Sequence, residues 1–484
     1  MPPSMVRRSD SFPARAVGVL VCVRCLALSS ASRGISVPFV FSSMSDAGRR
    51  VPSGLWRDAD FRRLWIGQTV SQLGEHTGLV VLPLVAVLML DAGAGEVGVL
   101  RAVGQAPALL LSLFAGAWVD GWRTRTTMVL ADAGRAVAMG AVAVAGPVGR
   151  LGLPALLVLA FAVGALSVFF DVAYQASLVR LVARDRLVQG NSALEGSRSA
   201  AQIGGPALGG ALVSLLSASF AAAFGALFFT LSFLSIRRIR RAESVPERAA
   251  GPPRVRRRIV EGVRFVARDA VLRAVCLASA AFQFSFAATM TVYLLFLPRV
   301  LHLPGLAVGC ALAAAGPGAL LGSLLASRLP RRFGHGRVLL CAAVLGDGAF
   351  LCVPALHGSA AVTVPVLLAA GFVFGCGGQL VSVTVMAVRQ SVTPDGMQGR
   401  AAAMITFVGM GSAPLGSLLG GVLAEECGLR GGLLLAAAGM LLSPVVMVLS
   451  PLARLGRELP VRDRDPAPAG PVPGPPVRSA RRGR

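Results

Sequence analysis

Charge is scarce in this sequence. Charged residues make up 14% of the 484 positions, well below the roughly 25% of an ordinary soluble domain. Apolar residues make up 55%, and the mean hydropathy is +0.70. Such a chain has too few polar side chains to cover its surface in water, so a soluble globule is excluded and lipid must be part of its solvent.

Lysine is absent, since all 47 basic residues are arginine, and tyrosine occurs only twice. The net charge of +24 therefore lacks the interleaved aromatic rings on which nucleic-acid bases stack, and nucleic acid is not a predicted partner. An ATP-binding loop of the G-x-x-x-x-G-K type needs a lysine and is excluded too. No nucleophile and base form a recognisable constellation, so we predict no enzyme and no cofactor.

The eight cysteines form no framework. Six of them are scattered singly within or beside apolar runs, where cysteine behaves as a small hydrophobic residue. Cys22 and Cys25 form a lone C-x-x-C with no second pair and no nearby histidine. That pattern favours no metal site, although a zinc or redox site is its alternative interpretation.

Long apolar runs fill most of the chain, and each is close to the roughly 20 residues that cross a bilayer as a helix. They lie near 64–90, 97–119, 126–146, 153–179, 190–214, 217–236, 273–297, 305–329, 337–356, 361–388, 401–424 and 431–452. Helices satisfy every backbone amide internally, and the period-two alternation of a barrel is missing. The predicted fold is an all-α integral membrane protein with twelve transmembrane helices.

Arginine is unevenly placed between these runs. One set of loops carries Arg62, Arg63, Arg123, Arg125, Arg180, Arg184, Arg186, Arg331, Arg332, Arg337, Arg389 and Arg400, and the other little beyond Arg150, Arg299 and Arg430. The positive-inside rule assigns the arginine-rich side to the cytoplasm. We therefore predict a multi-pass protein of the cell membrane with both termini and the middle segment in the cytoplasm.

Five segments follow from this pattern. Residues 1–55 are predicted to be a disordered or mis-assigned extension, with Met44 as a possible true start; Arg7, Arg8 and the apolar run 16–28 also allow a signal peptide. The first six-helix half is 56–236 and the second is 273–456, and 457–484 is a disordered Pro/Arg-rich tail.

The basic linker 237–272 has apolar residues at Ile259, Val263, Phe265 and Val266, which predicts an amphipathic helix on the inner leaflet. Its arginines either bind anionic lipid or only set the topology.

The two halves resemble each other. The stretch Ala108–Leu113 recurs at Ala319–Leu324, and Arg180 with Gln189 and Gly190 recurs as Arg389 with Gln398 and Gly399. A parallel repeat of six helices is a recurring transporter architecture, with the substrate path between the repeats. A duplicated channel or scaffold is the alternative.

Two motifs sharpen the class. The loop GAWVDGWRTRT, with Gly116, Asp120, Arg123 and Arg125, resembles the loop signature of the major facilitator superfamily, in which the acid latches the cytoplasmic side shut. GPALGG, with Gly205, Pro206, Gly209 and Gly210, is similar to the end of a signature of proton-driven exporters, although generic helix packing explains it as well.

Further stretches resemble the branch that includes macrolide-efflux and siderophore-export proteins. They include WRDADFRRLWIGQTVSQLG, FFDVAYQASLVRLV and VTPDGMQGRAAA, and the resemblance spans about 56–460. It implies the major facilitator fold and efflux of a small amphipathic compound by alternating access, driven by proton entry, from a protein that works as a monomer. The alternatives are an uptake symporter of the same fold and a non-transporting receptor or scaffold.

Acids within the spans are candidate functional groups. Asp132 with Arg135, and Glu195 with Arg198, are three apart and predict neutralised pairs. Glu75 has no basic residue one turn away on its own helix. Its carboxylate should be strongly desolvated, which suits reversible protonation, so Glu75 is the first proton-coupling candidate and Asp347 the second. A cation-substrate contact or a structural role is the alternative for Glu75.

Polar side chains in otherwise apolar spans are candidates for a substrate cavity. They are Gln68, Gln72, Gln283, Tyr293 and Gln379. Core packing and helix pairing are equally good explanations for each.

Overall fold

The computed structural model describes residues 55–120, 122–182, 186–240, 255–357, 360–394 and 397–457. The interpretations of residues 1–54, of Met44, of Cys22 and Cys25, and of the tail from 458 lie outside these ranges. Leu55 is already packed in the core, only 4% exposed.

Six long helices form the first half. They are α1 (Ala59–Met89), α2 (Ala94–Asp120), α3 (Thr124–Ala145), α4 (Leu153–Leu181), α5 (Leu187–Leu215) and α6 (Ala218–Arg237). The cap of α1 shows how the sequence sets such an end: the Asp58 carboxylate accepts from the backbone N–H of Asp60 at 2.8 Å. Ser217 caps α6 in the same way.

A short helix and several interrupted ones follow. They are α7 (Val255–Arg268), α8 (Ala270–Arg299), α9 (Gly305–Ala313), α10 (Ala315–Ala326), α11 (Leu329–Phe333), α12 (His335–Gly348), α13 (Ala360–Val392), α14 (Gln398–Glu426), α15 (Gly428–Met440) and α16 (Leu442–Val448). The helix α12 continues as a 3-10 turn over Ala349–Ala355. The described part of the chain contains no strand.

Ten segments of the described chain are long and apolar enough to cross a membrane. They comprise α1, α3, α4, α6, α8, α9 with α10, α12 with its 3-10 extension, α13, α14, and α15 with α16. The helices α2 and α5 are 27 and 29 residues long and are not among the ten. An all-helical membrane fold is thus confirmed, and each apolar run of the sequence falls on one of these helices or pairs.

Small residues bring the helices of each half into backbone contact. A side chain on Gly164 would meet the carbonyl of Gly104, and one on Gly375 would meet the carbonyl of Ala315. Gly209 lies against the carbonyl of Thr77 in the same way. These positions hold glycine because any larger residue would push two backbones apart.

The two halves meet through α2 with α14 and through α5 with α9. Gly98 lies against Ser417 and Gly421, while Gly210 lies against Gly305 and Gly309. The backbone N–H of Gly95 also donates to the Glu425 carboxylate at 2.8 Å. These contacts lie toward the ends of the helices where arginine is sparse, which we call the arginine-poor end.

The linker helix α7 packs against the second half. Val266 is buried in a cluster with Leu272 and Leu339, and Glu261 pairs with Arg400 at 2.9 Å. The amphipathic helix predicted in the linker is therefore present, with part of its apolar face against protein.

Candidate functional site

A buried arginine forms the centre of the first half. Arg135, on α3, is fully buried, and its guanidinium lies between the rings of Phe170 and Phe229, 4.4 and 4.5 Å from their centroids. The two rings come from α4 and α6, so three helices enclose one charge. Aromatic faces attract a cation strongly once water is excluded.

Four polar side chains surround the guanidinium. Arg135 pairs with Asp132 one turn earlier at 2.5 Å and donates to the Ser71 hydroxyl at 2.8 Å and to the Ser167 hydroxyl at 3.2 Å. Its fourth partner is the Glu75 carboxylate of α1, at 3.5 Å. The predicted Asp132–Arg135 pair is present, but it lies at the centre of a network that joins α1, α3 and α4.

Asp132 is held more firmly than Glu75. Its carboxylate accepts from Ser71 at 3.1 Å and from Ser232 at 2.5 Å, and it is fully buried. The Glu75 side chain is 24% exposed, and among the described residues its one hydrogen-bond or ion-pair partner is Arg135, at 3.5 Å. Glu75 can thus gain or lose a proton without breaking the Arg135–Asp132 pair.

The polar residues of α1 continue the network. Gln72 donates to the Asp171 carboxylate at 3.1 Å, and Gln68 accepts from Ser197 at 3.0 Å. Both glutamines are buried within the first bundle. They tie α1 to α4 and α5, which matches the helix-pairing alternative rather than an open cavity wall.

The second charge pair is much weaker. Arg198 and Glu195 are 3.9 Å apart, with 40% and 65% of their side chains exposed. Along the same helix, Gly205 lies against His76 and Thr77 of α1, and Gly210 lies against α9 of the other half. The GPALGG motif therefore serves as a packing surface on both sides of α5.

A cavity of about 370 Å³ lies inside the second bundle. Gln283 and Asp347 both line it, and Asp347 is only 4% exposed. Tyr293 is 2% exposed in an apolar cluster, with its ring edge-on to Phe350. Gln379 packs against Gly322. The role of these two residues in a cavity stays a prediction.

The predicted gating loop is only partly described. The side chains of Gly116 and Asp120 lie outside the described residues, so the latch stays a prediction. Arg123 is the residue before α3, and Arg125 donates to the carbonyl of Arg237 at the end of α6. Within the described ranges, no three His, Cys, Asp or Glu side chains come close enough to hold a metal ion.

Sequence reasoning missed the neutral part of the network. Ser71, Ser167 and Ser232 were passed over because an isolated serine is common in a membrane span. Phe170 and Phe229 looked like ordinary lipid-facing or core residues. A usable signal was Arg135 itself, since a charge in the middle of an apolar span needs several partners from other helices.

The fold and the site together define a multi-pass helical transporter. A solved bacterial homologue of the iron transporter ferroportin in an inward-facing state superposes with a TM-score of 0.65 at 18% identity, over 81% of this chain and 98% of that one. The nucleoside transporter NupG superposes with a TM-score of 0.65 at 12% identity, over 81% and 98%. Both have the major facilitator fold.

The chain belongs to the transmembrane secretion effector family of the major facilitator superfamily, whose model matches residues 53–479. It is 29% identical to the multidrug efflux pump Tap of Mycobacterium tuberculosis, over 75% of this chain and 87% of that protein. It is 24% identical to the uncharacterized transporter YfiS of Bacillus subtilis, over 76% and 87%. The protein is thus a membrane transporter and not an enzyme, and its class takes a small-molecule substrate.

Proposed function

We propose that this protein exports a small amphipathic molecule in exchange for protons. The observation that carries the proposal is the loosely held Glu75 beside the fixed Arg135–Asp132 pair. A carboxylate that can change protonation without dismantling its surroundings is what a proton-coupled carrier needs. The relatives named multidrug efflux pumps support export as the direction.

We infer that the fold consists of twelve spans in two six-helix repeats. Backbone contacts recur at positions 211 residues apart: Gly164 with Gly104 becomes Gly375 with Ala315, and Gly98 with Gly421 becomes Gly309 with Gly210. In this last case the two halves trade places: Gly98 of the first half contacts the second half, and Gly309 of the second half contacts the first. Such a reciprocal contact is what a two-fold axis between parallel repeats would produce.

Burial along α3 and α12 supports the same spacing. In α3 the buried set includes Thr127, Met128, Ala131, Asp132, Arg135, Met139 and Val142. In α12 and its extension the buried set includes Val338, Leu339, Ala342, Ala343, Gly346, Phe350 and Val353, each 211 positions later. Equivalent helices thus present equivalent faces to their bundles.

The contacts between the halves support a state closed at the arginine-poor end. Glu425 of the second half accepts from the start of α2, and Arg299 donates to the carbonyl of Ala92 at 2.7 Å. The positive-inside rule assigns the opposite end, and with it both termini and the linker, to the cytoplasm. Alternating access would then require this closed end to separate, releasing substrate outside.

Replacing Gly98 by valine should force the closed end apart. A Cβ at this position would lie 2.8 Å from the Ser417 carbonyl and 2.9 Å from the Gly421 Cα, and backbone cannot yield as a side chain can. Double electron–electron resonance measures the distance between spin labels attached in place of Glu96 and Glu426. In the Gly98→Val variant the distance distribution should contain a longer component. Gly204→Val is the matched control, since nothing lies within 4 Å of its Cβ. Identical distance distributions in the two variants would contradict the closed-end interpretation.

Vesicle transport tests the proposed function. The purified protein is reconstituted, a pH gradient is imposed, and movement of an amphipathic dye and of protons is recorded together. Export predicts proton flux opposite to dye flux, and an uptake symporter predicts parallel flux. Dye movement that ignores the gradient would reject proton coupling, and no movement at all would favour a receptor or scaffold.

The remaining partners follow from the same proposal. No bound nucleotide is needed because the gradient supplies the energy, and a single copy contains both halves of the path. The arginines of α7, Arg264 and Arg268, line an open cleft beside Arg400. We propose that they contact anionic lipid headgroups at the inner surface.

A further inference from the structure

The cavity inside the second bundle lies at the place that corresponds to the arginine network of the first. Its lining includes Gln283, Ala343, Ser382 and Ser443. The positions 211 residues earlier are Gln72, Asp132, Asp171 and Ser232, all members of that network. Both sets are therefore built on equivalent helices and at equivalent depths.

The second half has no arginine at the corresponding position. The position equivalent to Arg135 is Gly346, where a Cβ would lie 3.2 Å from the Gly377 Cα, so the two helices pack closely there. The cavity lies beside this contact, where Ala343 and Ser382 stand in place of two acids of the first half. Its volume of about 370 Å³ is within the range of small-molecule pockets.

One carboxylate lines the cavity, and no cationic side chain of the described residues is paired with it. Asp347 is 4% exposed, and among the described residues no hydrogen bond or ion pair involves its side chain. Arg389 also lines the cavity, but no ion pair joins it to Asp347 in the described structure. A buried carboxylate without a partner is costly in a membrane protein, and such a group usually marks a site for an ion or a substrate.

We propose that this cavity binds the guanidinium or ammonium group of a small organic cation, with Asp347 as its counter-charge. In the first half the cation is part of the protein, because Arg135 neutralises a buried acid. In the second half no described arginine is paired with the acid, so a bound cation can take that place. Apolar side chains such as Phe282, Val381 and Met447 line the remaining walls and suit an amphipathic ligand.

The inference names a substrate class for the exporter proposed above and rests on that proposal. The site nevertheless makes a prediction that needs no transport. Occupancy should depend on the positive charge of the ligand and on the Asp347 carboxylate, whether or not a proton gradient drives the protein. An equilibrium binding measurement can therefore fail while proton-driven efflux survives, and the reverse.

Titration calorimetry on the full-length protein in detergent provides the test. The probe is benzamidine, a planar cation, and the reference is benzamide, its neutral counterpart of similar shape. We expect benzamidine to bind and benzamide to bind far more weakly. Asp347→Asn should weaken benzamidine binding on the order of ten- to a hundred-fold, the usual range for losing a charged hydrogen bond.

Two further variants keep the test decisive. Ala343→Leu fills part of the cavity from another position and should also weaken binding, so it decides the question if Asp347→Asn does not fold. Asp91→Asn removes a fully exposed carboxylate and should leave the dissociation constant unchanged. Equal affinity for benzamidine and benzamide, or folded cavity variants that bind as the parent does, would overturn the proposal.

Discussion

Replacing Arg135 by methionine is expected to cost the protein about 3–5 kcal/mol of stability, the usual penalty for leaving half of a buried ion pair behind. Asp132 would keep the hydroxyls of Ser71 and Ser232 but lose its only cation. Glu75 would lose its partner as well, and the space between Phe170 and Phe229 would be filled by a neutral chain. Loss of folded protein on heating in detergent, followed by size-exclusion chromatography, measures the effect.

The matched control is Arg198→Met, which removes the other predicted pair. That pair is 3.9 Å apart and partly exposed, so the change should cost less than about 1 kcal/mol. The double variant Asp132→Asn with Arg135→Met should recover part of the loss, since a neutral pair leaves no uncompensated charge. Equal thermal stability of Arg135→Met and Arg198→Met would show that the network does not support the fold.

The spans were predictable because they depend on length and hydropathy alone. The predicted run 153–179 corresponds to α4 at Leu153–Leu181, and 361–388 to α13 at Ala360–Val392. The observed helix ends differ from the predicted ends where a polar cap extends a helix beyond its apolar stretch, as Asp58 does for α1. The interruption between α9 and α10 at Ala314 was missed, although the sequence contains its cause. Pro317, three residues later, lacks the N–H that a continuous helix would bond to residue 313.

The site was predictable only within single helices. The spacing of Asp132 and Arg135 indicates a pair because residues three apart share a helix face. The contact between Arg135 and Glu75 joins positions 60 apart, and it depends on which helices are neighbours, which spacing does not encode. The surroundings of Tyr293 were not predictable for the same reason, since its polar group suggested a cavity while its neighbours in the fold are apolar.

The asymmetry between the halves connects the two sites. The first bundle contains a complete charge network, and the second lacks the arginine and has no acid at the positions equivalent to Glu75, Asp132 and Asp171. In the first bundle the protein's own arginine pairs with a buried acid, and in the second bundle a bound cation can pair with one. The first half is then suited to proton exchange at Glu75, and the second half to the substrate.

Substituting Glu75 by glutamine should abolish pH-gradient-driven efflux, reducing it to the level of protein-free vesicles. The amide keeps the size of the side chain and can still accept from Arg135, so helix packing around the 3.5 Å contact should persist. It cannot take up or release a proton, which removes the step that couples the gradient to the conformational change. Exchange of labelled for unlabelled substrate at equal pH needs no net proton movement and should continue.

This separation of exchange from driven efflux distinguishes a coupling role from a structural one. If Glu75 only stabilised the bundle, both activities would fall together with the amount of folded protein. Glu195→Gln serves as the control, because that carboxylate is 65% exposed and its pair is weak; it should retain both activities. Full gradient-driven efflux by Glu75→Gln would exclude Glu75 as the proton carrier. The proton site would then have to be sought at another acid, with Asp347 tested next by the same pair of assays.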